Sequence, residues 1–113
     1  MPAVFLYGTL LDPAVLARRS GDPSLARRAR PAVLHGWRRV ILRGTPYPTL
    51  LPAPGAEVTG LLIRPGAAAM ARLRDYEGPS YRLVPVRVAT ARGPRNALAW
   101  CAARWRAGAA AWG

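Results

Sequence analysis

The chain reads as an α+β fold, and three observations carry that reading. Runs that suit strands outnumber runs with helical spacing. Their order is not the strict strand–helix alternation that builds a parallel sheet. Glycine and proline, 11 and 12 of 113 residues, punctuate the chain and mark where each short element stops.

Residues 3–7, Ala-Val-Phe-Leu-Tyr, are apolar and aromatic and end at Gly8, as a buried strand does. Asp12-Pro13 opens a helix, because Asp caps free N–H groups and Pro fits the first helical position. That helix stops near Gly21, and Asp22-Pro23 starts a second one running through Arg28. Alternation predicts a strand over Ala32 to Leu42, with Val33, His35, Trp37, Arg39 and Ile41 on one face and a bulge at Gly36. Gly44 to Gly55 holds four prolines and is expected to be a stiff, irregular loop. Glu57 to Arg64 reads as a strand, with Gly60 where backbone or ligand approaches closely.

A helix from Ala67 to about Asp75 buries Met70, Leu73 and Tyr76 and ends at Glu77-Gly78-Pro79. Tyr81 to Thr90 is a long strand, with either Val84, Val86 and Val88 or Tyr81 and Leu83 inward, and Pro85 marking an edge or bulge. Gly93 to Asn96 is expected to turn and Ala97 to Ala102 to return as its partner. The alanine-rich stretch from Arg104 to Gly113 reads as a short helix or a frayed end.

Length fits one domain over residues 1–113, with 104–113 its least determined part. All 17 basic residues are arginine, glutamine is absent and asparagine occurs once, the imprint of a GC-rich coding sequence. That origin changes the meaning of a net charge of +12. A nucleic-acid-binding surface is one reading of such a charge. The arginines, however, are scattered as singles and pairs, which favours a solvated basic surface over a nucleic-acid partner. A single cysteine, Cys101, excludes an internal disulfide and fits a reducing compartment, hence a cytoplasmic placement. One histidine, His35, does not make a metal centre. The first residues lack the pattern of a signal peptide, and no run reaches the ~18 apolar residues of a membrane span.

Two segments carry chemistry. A strand that breaks at Gly8 and feeds a helix presents several main-chain N–H groups, a seat for a carboxylate or phosphate, with the Thr9 hydroxyl beside it. The same corner occurs in folds with no ligand, and Tyr7 alone reads as a core aromatic. Glu77 stands at a helix end between Tyr76 and Tyr81 in a chain with only five acids. An aromatic, partly apolar wall raises a carboxyl pKa and suits it to acid–base work near neutrality. A solvated carboxylate paired with Arg72, Arg74 or Arg82 is the competing reading, and a helix C-terminus disfavours negative charge.

Tyr7-Gly8-Thr9-Leu10, followed by Tyr76-Glu77-Gly78 and Tyr81, resembles the gamma-glutamylcyclotransferase-like family. Leu34-His35-Gly36-Trp37, Tyr47-Pro48 with Leu50, and Val58-Thr59-Gly60-Leu61-Leu62 extend the likeness over roughly residues 3–90, in order. The resemblance implies a small mixed β-barrel with short flanking helices and a cavity between the Gly8 loop and the helix end at Glu77. It implies cyclisation of a small-molecule gamma-glutamyl amide to 5-oxoproline with release of an amine, without cofactor or metal. By that likeness Glu77 is the general acid/base, the N–H groups of Gly8, Thr9 and Leu10 hold the glutamyl head, Tyr7 and Tyr47 line the substrate pocket, and Tyr81 orients Glu77 or lines the pocket with them. The leaving amine would meet the proline-rich stretch around Tyr47 and the C-terminal tail, and a rim of Arg39, Arg43 or Arg82 would favour anionic leaving groups. A non-catalytic binding member of the same fold, and a basic nucleic-acid-binding domain, are the alternatives.

Overall fold

The computed structural model describes residues 2–112. Its strands are β1 (Val4–Leu6), β2 (Arg30–Leu42), β3 (Pro48–Ile63), β4 (Tyr81–Thr90), β5 (Gly93–Ala102) and β6 (Ala107–Ala111). Its helices are α1 (Pro13–Ser20), α2 (Ser24–Arg28) and α3 (Ala67–Glu77), with 3-10 turns at Thr9–Leu11 and Arg104–Arg106. Five strands close a ring in the order β1-β5-β4-β2-β3 and back to β1, while β6 extends from β2. The ring is mixed, since β1 runs parallel to β5 and antiparallel to β3. The α+β expectation and the small mixed barrel with short helices are both borne out.

Alternation along β1 explains its unbroken apolar run. Phe5 and Tyr7 point into the barrel with Leu34, Leu50, Val58 and Val88. Val4 and Leu6 point the other way, to a second core with Leu16, Leu25, Leu73 and Trp100 under the helices. A strand buried on both faces has no polar position to spare. β4 divides itself similarly: Val84, Val86 and Val88 face the barrel, while Tyr81 and Leu83 face the helical layer. Both sets expected of this strand are therefore used.

The helices begin and end where their residues dictate. The Asp12 carboxylate accepts from Ala14 N at 2.9 Å and Val15 N at 3.5 Å, capping α1, and Gly21 at φ 71° ends it. In α3, Met70 and Leu73 are buried and Tyr76 packs beside them, so the helix lies on the β1 layer and aims its last residue at the barrel's rim.

Three expectations need correction. Residues 44–55 are not a loop: β3 starts at Pro48 and pairs with β2 through Pro52. Proline is excluded from two-sided ladders, but here β3 has an unpaired edge that tolerates its missing N–H. Pro48 turns its carbonyl to that edge, where it accepts the Tyr81 hydroxyl at 2.7 Å. The second correction is the 104–113 stretch, where only Arg104–Arg106 forms a 3-10 turn and Ala107–Ala111 is a strand rather than a helix or a frayed end. β6 pairs with the end of β2 through Val40↔Ala111 and Leu42↔Ala107. Trp112 Nε1 donates to Pro46 O at 3.0 Å and fastens the strand's end. Alanine favours helix locally, but the unpaired edge of β2 supplies hydrogen bonds that a short helix lacks. Third, the β4–β5 turn is tighter than expected, because Gly93 already pairs with Thr90. On β2 the buried positions are Ala32, Leu34, Val40 and Leu42, and the bulge falls at Gly36, φ 84°.

Gly60 is the tightest point of ring closure. A Cβ there would stand 2.1 Å from Leu6 O and 2.8 Å from the Phe5 ring. We expect Gly60→Val to destabilise the chain by about 3 kcal/mol or more, because β3 would have to part from β1. Denaturant unfolding measures it, and a near-neutral value would mean that β1 and β3 are not so close.

Candidate active site

β1 delivers Tyr7 and breaks at Gly8, from which the Thr9–Leu11 turn leads into α1. Within this corner Leu11 N–H donates to Gly8 O at 3.0 Å and Asp12 N–H to Thr9 O at 3.3 Å. The N–H groups of Gly8, Thr9 and Leu10 take no part in these turn hydrogen bonds among the described residues, so three consecutive donors are left unspent there. Gly8 also lies against the tip of the β2–β3 hairpin, since a Cβ on it would meet Pro48 Cγ at 2.7 Å.

Glu77 is the last residue of α3. Gly78, at φ 78°, donates its N–H to Arg74 O at 3.1 Å and ends the helix, which fixes the carboxylate at the rim. The Gly8 corner, the hairpin tip and the α3–β4 corner enclose a cavity of about 180 Å³. Tyr7, Gly8, Thr9, Leu10, Tyr47, Glu77 and Tyr81, the residues singled out from sequence, all line it. Pro48, Tyr76 and Trp100 line it too, with Phe5 and Leu6. Sequence marked Tyr76 as a core residue and as a flank of Glu77, and Trp100 carries no local signal at all, because β5 brings it in from a distant part of the chain.

The tyrosine hydroxyls are tied down. Tyr81 is held by Pro48 O, Tyr7 donates to Trp100 O, and Tyr76 OH lies 2.9 Å from Thr9 Oγ1. The Arg19 guanidinium sits 4.9 Å over the Tyr76 ring and pins it from outside. Burial raises the Tyr7 phenol well above its usual range. The Tyr81 phenol is pushed up to about 12, first by burial and then by the charge of Glu77, with Arg106 pulling the other way. Neither phenol ionises near neutrality.

Glu77 is different. Burial alone pushes its carboxyl from 4.5 up to about 7. No arginine is within ion-pair reach of it; among the described residues the ion pair found is Arg28–Asp22 at 3.1 Å. The Arg72, Arg74 and Arg82 partners open from sequence therefore form no ion pair with it: Arg72 reaches back to Arg18 O at 3.5 Å, and Arg82 lines a separate groove with Trp37 and Arg104. A half-buried carboxyl without a cation is populated in both protonation states at neutral pH. Cys101 is buried in the barrel, its thiol pushed up to about 12, and does not line this cavity. Among the described residues no three His, Cys, Asp or Glu side chains gather to hold a metal ion, and no helix is long and apolar enough to cross a membrane.

The model of the family described as gamma-glutamyl cyclotransferase, AIG2-like, matches residues 4–111. The chain belongs to that family. The match takes in the Arg104–Ala111 stretch, which the motifs up to residue 90 had left outside. Protein AIG2 C of Arabidopsis thaliana is 37% identical over 91 residues, 75% of this chain and 50% of the relative. The chain thus spans about half the length of the curated relative it matches. A protein of Arabidopsis thaliana solved in solution superposes with a TM-score of 0.74 at 31% identity, over 89% of this chain and 61% of that one. A solved gamma-glutamyl cyclotransferase gives 0.73 at 20% identity, over 89% and 66%, which speaks for the fold.

Tyr81 couples the two walls of the cavity. Tyr81→Phe leaves Pro48 O without its donor and is expected to cost about 1–2 kcal/mol, read from denaturant or thermal unfolding. Unchanged stability would show that this hydroxyl does not hold the hairpin tip.

Proposed function

We propose that the protein is a cofactor-independent gamma-glutamylcyclotransferase that converts a gamma-glutamyl amide into 5-oxoproline and a free amine. The observation that carries this reading is the Glu77 carboxyl, pushed up to about 7 in a cavity whose facing corner offers three unspent N–H groups. Family membership supports the same chemistry.

In this scheme the substrate's α-carboxylate sits on the N–H groups of Gly8, Thr9 and Leu10. A cavity of about 180 Å³ accommodates the glutamyl head and leaves the departing amine at the mouth, toward Tyr47. The nucleophile is the substrate's own α-nitrogen, which begins as an ammonium. Glu77, as carboxylate, takes one proton from it, and the freed amine attacks the γ-carbonyl carbon. The carbon–nitrogen bond to the leaving amine then breaks as Glu77 returns the proton to that nitrogen. A second proton follows the same route, so the ring nitrogen keeps one hydrogen, the amine departs protonated and no proton is lost overall.

The division of labour is reasonable in magnitude. Orienting a tethered nucleophile supplies on the order of 7–11 kcal/mol of the barrier. A positioned acid/base contributes about 10²- to 10⁴-fold. A pKa near the working pH lets one group serve in both directions, which an ordinary glutamate does poorly.

Glu77→Gln is expected to lower kcat/KM for 5-oxoproline release at least about a hundredfold. In the wild type, kcat/KM rises with pH up to about 7, where Glu77 becomes the base, and levels above it. Full turnover in the variant would remove Glu77 from the reaction. The same variant has a stability signature of definite sign. The folded chain holds the Glu77 proton up to about 7, whereas the unfolded chain releases it near 4.5, so stability falls as pH rises between those values. Removing the charge should therefore stabilise the fold at pH 8, on the order of 2 kcal/mol, and change little at pH 4. Thermal unfolding of both proteins at the two pH values reads this directly.

Gly8→Val fills the corner against Pro48 and is expected to raise KM at least tenfold by displacing the three donors. An unaltered KM in a folded variant would mean that no substrate carboxylate rests there.

A further inference from the structure

The peptide that joins Tyr7 to Gly8 is held from behind by a cation. Arg39 Nη1 donates to Tyr7 O at 3.1 Å, yet Arg39 does not line the cavity. The arginine expected at the rim thus stands at the back of the corner, and the bulge at Gly36 is what sends it there. Ahead of the bulge Ala32 and Leu34 face the barrel core, and beyond it Trp37 packs against the same core. Arg39 lies two residues past Trp37 and directly opposite Leu50, itself a core residue. Residues two apart, and cross-strand partners, share a face of the sheet. Arg39 therefore turns inward, toward the end of β1, and is half-buried.

β6 keeps it in place. The guanidinium lies 5.4 Å over the Trp112 ring, and Trp112 N–H donates to Arg39 O at 3.4 Å. Trp112 is in turn fastened to the hairpin through Pro46 O. Among the described residues no carboxylate pairs with Arg39, so no acid there offsets its charge.

A trans peptide is a rigid plane whose carbonyl and N–H point in opposite directions. A cation fixed on Tyr7 O therefore fixes the direction of the Gly8 N–H, away from Arg39. It also draws electron density from that N–H and makes it a stronger donor. Glycine resists rotation of its peptide less than other residues do, so an external hold matters most at such a position.

We propose that Arg39, clasped by Trp112, is a positioning residue of the Gly8 corner, aiming and strengthening the Gly8 N–H as a donor to the substrate's α-carboxylate. This rests on the reading of that corner as the seat of the glutamyl head. Arg39 touches neither the substrate nor the reacting bond. It acts on binding, through the main chain.

The test uses gamma-glutamylmethylamide as substrate and 5-oxoproline as ligand, with the Gly8 amide followed by NMR. In the wild type 5-oxoproline should move the Gly8 N–H resonance downfield. Arg39→Met keeps an apolar stem and removes the charge. It should raise KM and the Kd of 5-oxoproline about tenfold, with kcat unchanged. The rise in activity up to about pH 7 should also stay as it was. Arg39→Lys should recover part of the affinity. Trp112→Leu leaves the cation but frees it, should raise both constants about threefold, and decides the matter if Arg39→Met does not fold. Unchanged KM and Kd in these variants, or a loss in kcat as large as the rise in KM, would overturn the assignment. Arg39-dependent binding of 5-oxoproline without its release from the substrate keeps the positioning role and refutes the cyclisation. Release indifferent to Arg39 refutes the positioning role alone, and a Gly8 resonance that 5-oxoproline leaves unmoved refutes it as well.

Discussion

The site depends on a strand with no freedom. β1 is hydrogen-bonded to β3 on one edge and to β5 on the other, and both of its faces are buried. Its exit is fixed to within the width of a side chain by Gly60, which lets the β3 backbone pass against Leu6 O. Gly8 follows at once, so the corner with three unspent N–H groups is anchored to the most constrained element of the barrel. Preorganised donors of this kind act on a ligand without the cost of gathering them first.

The opposing wall is built from the other end of the same core. Leu73 and Met70 seat α3 on the β1 layer, and Gly78 stops the helix so that Glu77 arrives at the rim. What the fold withholds matters as much as what it places. Glu77 is half-buried with no cation in ion-pair reach, and its raised pKa follows from that burial.

The corner and the helix end were legible in the sequence because their signals are local. An apolar run ending in glycine, and a helical stripe closed by Glu-Gly-Pro, are set by the residues themselves. The proline-rich start of β3 was not legible, because whether Pro48 and Pro52 are tolerated depends on the strand's other edge being unpaired, a property of distant neighbours. β6 is hidden for the same reason: its alanines are indifferent until β2 offers an edge. Trp100 reaches the site by way of β5, which no periodicity announces.

The central claim is that the Glu77 carboxyl is sheltered from both water and cations. The chain has two glutamates, Glu57 and Glu77, so carboxyl-labelled glutamate gives two NMR signals that Glu77→Gln assigns. A titration should find the Glu77 carboxyl changing state at about 7. A midpoint in the ordinary glutamate range near 4.5 would place that side chain in water and contradict the account.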